Sequence, residues 1–140
     1  MSLTVRIPFV EFESKVPVVS LMIGDREIYA LLDTGSESTL IDEKLLDVAK
    51  SRKLRRHLSF TGINGETEKK RVVVISDDFL LPVGNKINIA GIASDLSAIS
   101  NHFKTSYGSE VVISAVLGCD FLETYNVKID FEEHLIEIYL

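Results

Sequence analysis

The chain is a succession of short apolar runs, each closed by turn-forming residues, and no run is long enough to commit it to a helical bundle. Val5 to Val10, Pro17 to Ile23 and Glu27 to Leu32 come first, with Gly24-Asp25-Arg26 as the tight turn that makes the last two a hairpin. Thr39 to Ile41, Arg71 to Ile75, Phe79 to Val83 and Ile87 to Ile92 follow, the last three divided by Asp77-Asp78 and Gly84-Asn85. Val111 to Ile113 and Val116 to Leu117 precede a closing hairpin, Val127 to Phe131 and Leu135 to Tyr139, turned at Glu132-Glu133-His134. Val, Ile and Phe supply the β-branched and aromatic content that strands favour. Helical spacing is confined to residues 42 to 51, where Leu45, Leu46 and Ala49 share a face behind an Asp42 cap, to a helical turn at Leu96 to Phe103, and to about 119 to 125. The segment Lys104 to Glu110 reads as a loop. So many short strands with two or three short helices predict an all-β barrel or sandwich. At 140 residues with no linker, residues 1–140 form a single domain, too short for a two-lobed enzyme.

Charge and composition remove several classes of function. Fifteen Lys and Arg against 21 Asp and Glu leave a net charge of −6, which argues against a general nucleic-acid or anionic-membrane partner. The basic stretches at residues 50 to 57 and Lys69-Lys70-Arg71 lack aromatic interleaving and read as a solvated face. The single Cys119 excludes an intrachain disulfide, and His57, His102 and His134 stand at no ligand spacing, so neither a metal nor another cofactor is expected. No apolar run of about 20 residues or secretory leader is evident, so a cytoplasmic location is expected, although Met1-Ser2-Leu3 is compatible with a trimmed N-terminus.

One polar tetrapeptide interrupts the apolar pattern. Asp33-Thr34-Gly35-Ser36 lies between Ile28 to Leu32 and Thr39 to Ile41, and a second apolar-apolar-Gly unit appears later as Val116-Leu117-Gly118. Asp-Thr-Gly alone is weak, since roughly one chain in a dozen of this composition would carry such a tripeptide by chance, and all three residues form turns. A turn set between two buried strands is less ordinary.

With these residues the sequence resembles the retropepsin-like aspartic proteases, the single-lobe family that includes the retroviral enzymes. Ala30 to Ser36 is similar to the catalytic loop, Gly62-Ile63-Asn64-Gly65 falls where a substrate-covering flap hairpin is expected, and Val116-Leu117-Gly118 matches the second-half element. The run from Val116 to Leu122, followed by Val127 to Phe131 and Ile136 to Ile138, looks especially like bacterial members and the retroviral-protease-like domain of DNA-damage-inducible ubiquitin-shuttle proteins. The resemblance covers nearly the whole chain. It implies a closed β-barrel of acid-protease type, a homodimer, and a peptide or protein substrate cleaved at Asp33.

The chemistry requires two chains for its own reasons. Peptide hydrolysis by carboxylates needs one group to accept a proton from water while another presents a proton to the carbonyl. The chain offers one such loop. Two ionised carboxylates about 4 Å apart repel by about 4 kcal/mol at an effective dielectric of 20, or roughly three pKa units, so the pair holds one proton. Gly35 would let backbone N–H groups approach the carboxylate, and Ser36 is expected to donate its hydroxyl to it. Thr34, by resemblance, bonds across the two-fold axis. Gly62 to Gly65 would fold over the peptide and exclude water.

Asp120 reads as a helix cap and Cys119 as a buried apolar residue, while no Gly-x-Ser-x-Gly or positioned histidine supports a serine or cysteine hydrolase. Two alternatives stand beside the protease: a dimeric peptide-binding or scaffold module on the same fold, and a monomeric domain whose Asp33 loop is only a turn.

Overall fold

Alternation of apolar and polar residues along the early strands sets the architecture, because each strand must bury one face. The computed structural model describes residues 3–10, 15–47, 51–61, 67–75, 79–108 and 111–140, with 51–61 and 67–75 described by backbone alone. In chain order the strands are β1 (Thr4–Pro8), β2 (Val18–Ile23), β3 (Arg26–Leu32), β4 (Leu40–Asp42), β5 (Ser51–Thr61), β6 (Thr67–Ile75), β7 (Phe79–Leu80), β8 (Lys86–Ile87) and β9 (Ala90–Ser94). Helix α1 (Ser97–Tyr107) precedes β10 (Ile113–Leu117), and α2 (Cys119–Thr124) leads into β11 (Lys128–Asp130) and β12 (Leu135–Tyr139).

Nine strands form one sheet in the order β5-β6-β9-β4-β10-β3-β2-β7-β8, and β1-β12-β11 form a second. The fold is mostly β with few helices, as expected. The expected closed barrel is not what the pairing draws: among the described residues the large sheet has two ends, β5 and β8, and curls without joining them.

The core divides on either side of β3. Ile28, Ala30 and Leu32 enter the main cluster with Leu21, Ile41, Phe79, Leu117 and Ile136. Tyr29 and Leu31, on the opposite face, pack against a second cluster of Val18, Leu96, Phe103, Ile113 and Val116. Helix α1 covers this second face, and so β3 is clothed on both sides.

Several local expectations need correction. The helix expected over 42 to 51 is a 3₁₀ turn, Glu43–Asp47, because Asp42 belongs to β4 and its carboxylate accepts the Lys44 N–H at 3.3 Å, tightening the exit. Helix α1 runs through Tyr107 and consumes most of the expected loop, since Phe103 and Tyr107, one turn apart, both pack on the second cluster. Gly108 ends it in the left-handed region (φ 64°), donating to the Lys104 carbonyl at 3.0 Å. The run Ile87 to Ile92 is two strands, broken where the Asn88 N–H and carbonyl are both satisfied by the Tyr125 hydroxyl, at 3.0 and 3.2 Å. Lys69, Lys70 and Arg71 do lie on the strand beside the first basic stretch, opposite Ser59, Leu58 and His57. No helix among the described residues is long and apolar enough to cross a membrane.

Candidate active site

The site begins with a crossing. β3 pairs parallel with β10 (Leu31 with Val116, Leu32 with Leu117), while β4 pairs antiparallel with the other edge of β10 (Leu40 with Val116). The chain that leaves β3 at Leu32 must therefore pass over the end of β10 before re-entering the sheet as β4, and Asp33 to Thr39 is that passage. The Asp33 N–H prolongs the ladder by donating to the Leu117 carbonyl at 3.1 Å.

The passage is tight, and Gly118 explains how it fits. A β-carbon at Gly118 would lie 2.6 Å from the Ser38 carbonyl oxygen and 2.7 Å from that of Ser36, distances no packed side chain tolerates. Immediately beyond, the first turn of α2 donates its free N–H groups to the same loop: Cys119 to the Ser36 carbonyl at 2.7 Å and Asp120 to the Glu37 carbonyl at 3.2 Å.

Thr39 ties the passage to its platform. Fully buried, it donates its hydroxyl to Asp120 Oδ1 at 2.7 Å and accepts the Gly118 N–H at 3.1 Å, while its own N–H donates to Asp120 Oδ2 at 3.1 Å. Asp120 Oδ1 also accepts the Phe121 N–H at 2.7 Å. Asp120 is not the helix cap expected of it: Gly118 stands at the N-cap with no side-chain cap bond, Asp120 lies in the first turn, and its carboxylate bridges α2 to the residue just before β4.

Asp33 itself is exposed. Its Oδ1 accepts the Gly35 N–H at 2.8 Å, and a β-carbon at residue 35 would sit 3.1 Å from that oxygen, which gives Gly35 the expected geometry. Ser36 differs from expectation: its hydroxyl donates to the Ser38 carbonyl at 2.7 Å, not to the carboxylate. The loop curls inward after Gly35, with the Ser36 N–H on the Asp33 carbonyl at 3.2 Å, and this turns the serine side chain along the passage. Thr34 is exposed and its carbonyl accepts the Cys119 thiol at 3.1 Å. Cys119 is therefore half-buried and hydrogen-bonded where a buried apolar residue was expected. Gly62, Ile63, Asn64 and Gly65 lie outside the described residues, although β5 and β6 on either side of them pair as far as Thr61 with Thr67. Among the described residues no group of three or more His, Cys, Asp or Glu could hold a metal ion.

Sequence reasoning passed over Thr39 and the bridging role of Asp120. Thr39 reads as the polar start of a strand, and only the 81-residue separation of its partner shows what it does.

Residues 19–121, which contain the passage, its platform and every strand between, match the aspartyl protease family. The chain belongs to that family. Among solved structures, this aspartyl protease family member is similar to a retropepsin-like aspartic protease from Rickettsia conorii (TM-score 0.54, 14% identity, 99% of this chain and 92% of that one). It is also similar to the retroviral protease-like domain of Ddi1 from Leishmania major (TM-score 0.53, 12% identity, 90% of each chain). The EIAV protease complexed with the inhibitor HBY-793 aligns with a TM-score of 0.51 at 18% identity, over 86% of this chain and 99% of that one. These likenesses show a retropepsin-like fold. No curated protein matches the chain significantly in sequence. In this aspartyl protease fold, the Asp33 loop occupies the end of a strand pair whose partner, β10, comes from the other half of the sequence.

Proposed function

We propose that the chain is an aspartic endopeptidase acting as a homodimer, with one Asp33 from each copy forming the dyad around a lytic water. What supports the reading above all is the setting of Asp33: an exposed carboxylate with one oxygen held by the Gly35 N–H, on a loop anchored at both ends. Asp120, a second acid on this platform, has both oxygens engaged by Thr39, so the other half of the dyad comes from a second copy. The ionised Asp33 takes a proton from water as the water oxygen attacks the peptide carbonyl. The protonated partner donates to the carbonyl oxygen, and collapse of the tetrahedral adduct breaks the C–N bond as the leaving nitrogen is protonated. Thr34 of each copy bonds across the axis, and the hairpin carrying Gly62 to Gly65 closes over an extended peptide.

The test is cleavage of a diverse peptide pool at pH 4 through 7, read by mass spectrometry, with Asp33→Asn alongside. Cuts by the parent, none by a variant of unchanged mass in solution, are expected. Retained cleavage by Asp33→Asn sinks the assignment, and a strict monomer at high concentration with peptide present removes the dyad. Peptide binding without cleavage by the parent would indicate a binding module instead.

A further inference from the structure

We infer that the β5–β6 hairpin is a docking arm for an acidic, extended polypeptide segment, which adds to it as a further strand along the outer edge of β5. Such docking is separate from proteolysis and needs no catalysis. Charge is distributed very unevenly along the chain. β5 and β6 hold seven of its 15 Lys and Arg, four in the first strand and three in the second, against one of its 21 acids, Glu68. The two strands therefore carry +6 in a chain of net charge −6, and the rest of the chain carries −12. Pairing gathers these cations and sets none of them opposite an acid. Register places Arg71 against His57, Lys70 against Leu58, Lys69 against Ser59, Lys53 against Val73 and Arg52 against Val74, while Glu68 stands opposite Phe60. Arg55 and Arg56 fall where the register shifts, between Lys53 and His57. On its other side β6 meets no charge either, because Val72, Val73 and Val74 pair with Ile92, Gly91 and Ala90 of β9. Like charges gathered on a ladder are destabilising, and an outside chain that supplies carboxylates relieves them.

Topology supplies the place. β5 is an end strand of the nine-stranded sheet, and among the described residues its one ladder partner is β6. One edge of its 11 residues thus keeps N–H and C=O groups with which a further strand can pair. Basic residues on an edge strand ordinarily serve to repel pairing. Here the repulsion is selective: a basic chain is refused and a neutral one gains nothing, whereas an acid at every second position meets cations at the strand's own two-residue repeat. Lys69 and Arg71 stand at that repeat on one face of β6, with His57 in register beside Arg71. The −12 carried by the rest of the chain deters an acidic segment elsewhere on the molecule, so attraction is confined to the hairpin. A polypeptide is favoured over a nucleic acid because the open edge offers backbone pairing, for which a phosphodiester chain has no peptide N–H and C=O ladder.

Fluorescence anisotropy of labelled peptides tests this on the Asp33→Asn protein, so that no probe is cut. An alternating Glu-Thr peptide should bind at least roughly 5-fold more tightly than its Gln-Thr counterpart at low salt. The advantage should vanish near 1 M salt, where screening acts within about 3 Å. Lys69→Gln/Lys70→Gln/Arg71→Gln should remove it, and Arg55→Gln/Arg56→Gln, placed where the register already shifts, should reduce it. Lys15→Gln/Arg26→Gln/Lys104→Gln removes three exposed cations outside the hairpin and should leave it unchanged. Parent-like binding by both hairpin variants, or an equal loss in the distant one, overturns the hairpin as the site. Equal binding of the Glu-Thr and Gln-Thr peptides overturns the proposal altogether. Amide hydrogen exchange then locates the bound peptide: slowed exchange at alternate residues of β5 is expected, and binding that leaves β5 unchanged overturns strand addition. Tighter binding of an oligothymidylate than of the Glu-Thr peptide overturns the polypeptide assignment in favour of nucleic acid.

Discussion

Replacing Thr39 by valine keeps the shape of the side chain and deletes one hydroxyl, at a point where two parts of the site meet. That hydroxyl accepts the buried Gly118 N–H at 3.1 Å and donates to Asp120 Oδ1 at 2.7 Å. In the variant the Gly118 N–H is left without its acceptor inside the protein, which costs about 1–3 kcal/mol. Asp120 suffers less, because Oδ1 retains the Phe121 N–H and Oδ2 the Thr39 N–H; the lost bond is worth about 1 kcal/mol. The sum, about 3 kcal/mol, corresponds in a domain of this length to a fall in Tm of roughly 10 °C. Thermal unfolding at one fixed protein concentration measures it, since association would otherwise move the midpoint. Thr39→Ser keeps the hydroxyl and loses one methyl, so it should cost only about 1 kcal/mol. If valine melts within about 2 °C of the parent, or no lower than serine, Thr39 is not the tie described here.

Gly118→Ala places a methyl 2.6 Å from the Ser38 carbonyl; the loop must then shift by several tenths of an ångström, and a displacement approaching 1 Å at reacting groups costs about 10²-fold in rate. Cleavage kinetics check this, and parent-like turnover would show that the passage can move without consequence. Tyr125→Phe removes both bonds to Asn88, and because Asn88 is exposed the loss should be about 1 kcal/mol, read as a small drop in Tm. The Tyr29 hydroxyl, then that of Ser20, hold the Glu27 carboxyl below its ordinary value. A depressed folded-state value contributes stability above the unfolded value that is lost as pH falls through the folded one. Tyr29→Phe should accordingly raise the Glu27 midpoint in an NMR titration, and an unmoved midpoint contradicts the assignment.

Strands were legible where burial alternates and turns are chemically marked. The β2–β3 hairpin, turned at Gly24 with φ 61°, is the clearest case. The turn at Asp33 to Gly35 was legible too, because a polar, turn-forming tripeptide interrupts the apolar strands there. Non-local partners were not. Asp42 has the composition of a helix cap, yet pairing of β4 with β9 draws it into the sheet, so tertiary hydrogen bonding overrides the local signal. Ser36 stands three residues from Asp33 and could reach it in many turns; only the observed curl sends its hydroxyl to Ser38. The length of α1 was hidden because Ser106, Tyr107 and Gly108 look like loop until the aromatic packing of Phe103 and Tyr107 is seen.

The crossing of residues 33–39 over β10 also fixes when the site can form. Thr39 meets Gly118 and Asp120, and Thr34 meets Cys119, across 79, 81 and 85 residues of chain. Contacts of that span must overcome loop-closure entropy before they return any stability, so they form late. During synthesis at about 5–20 residues per second, Asp33 would leave the ribosome several seconds ahead of the strand it rests on. A nascent chain ending before residue 113 contains the Asp33 carboxylate and Gly35 but nothing for the loop to cross, and the carboxylate is made early and put in place last.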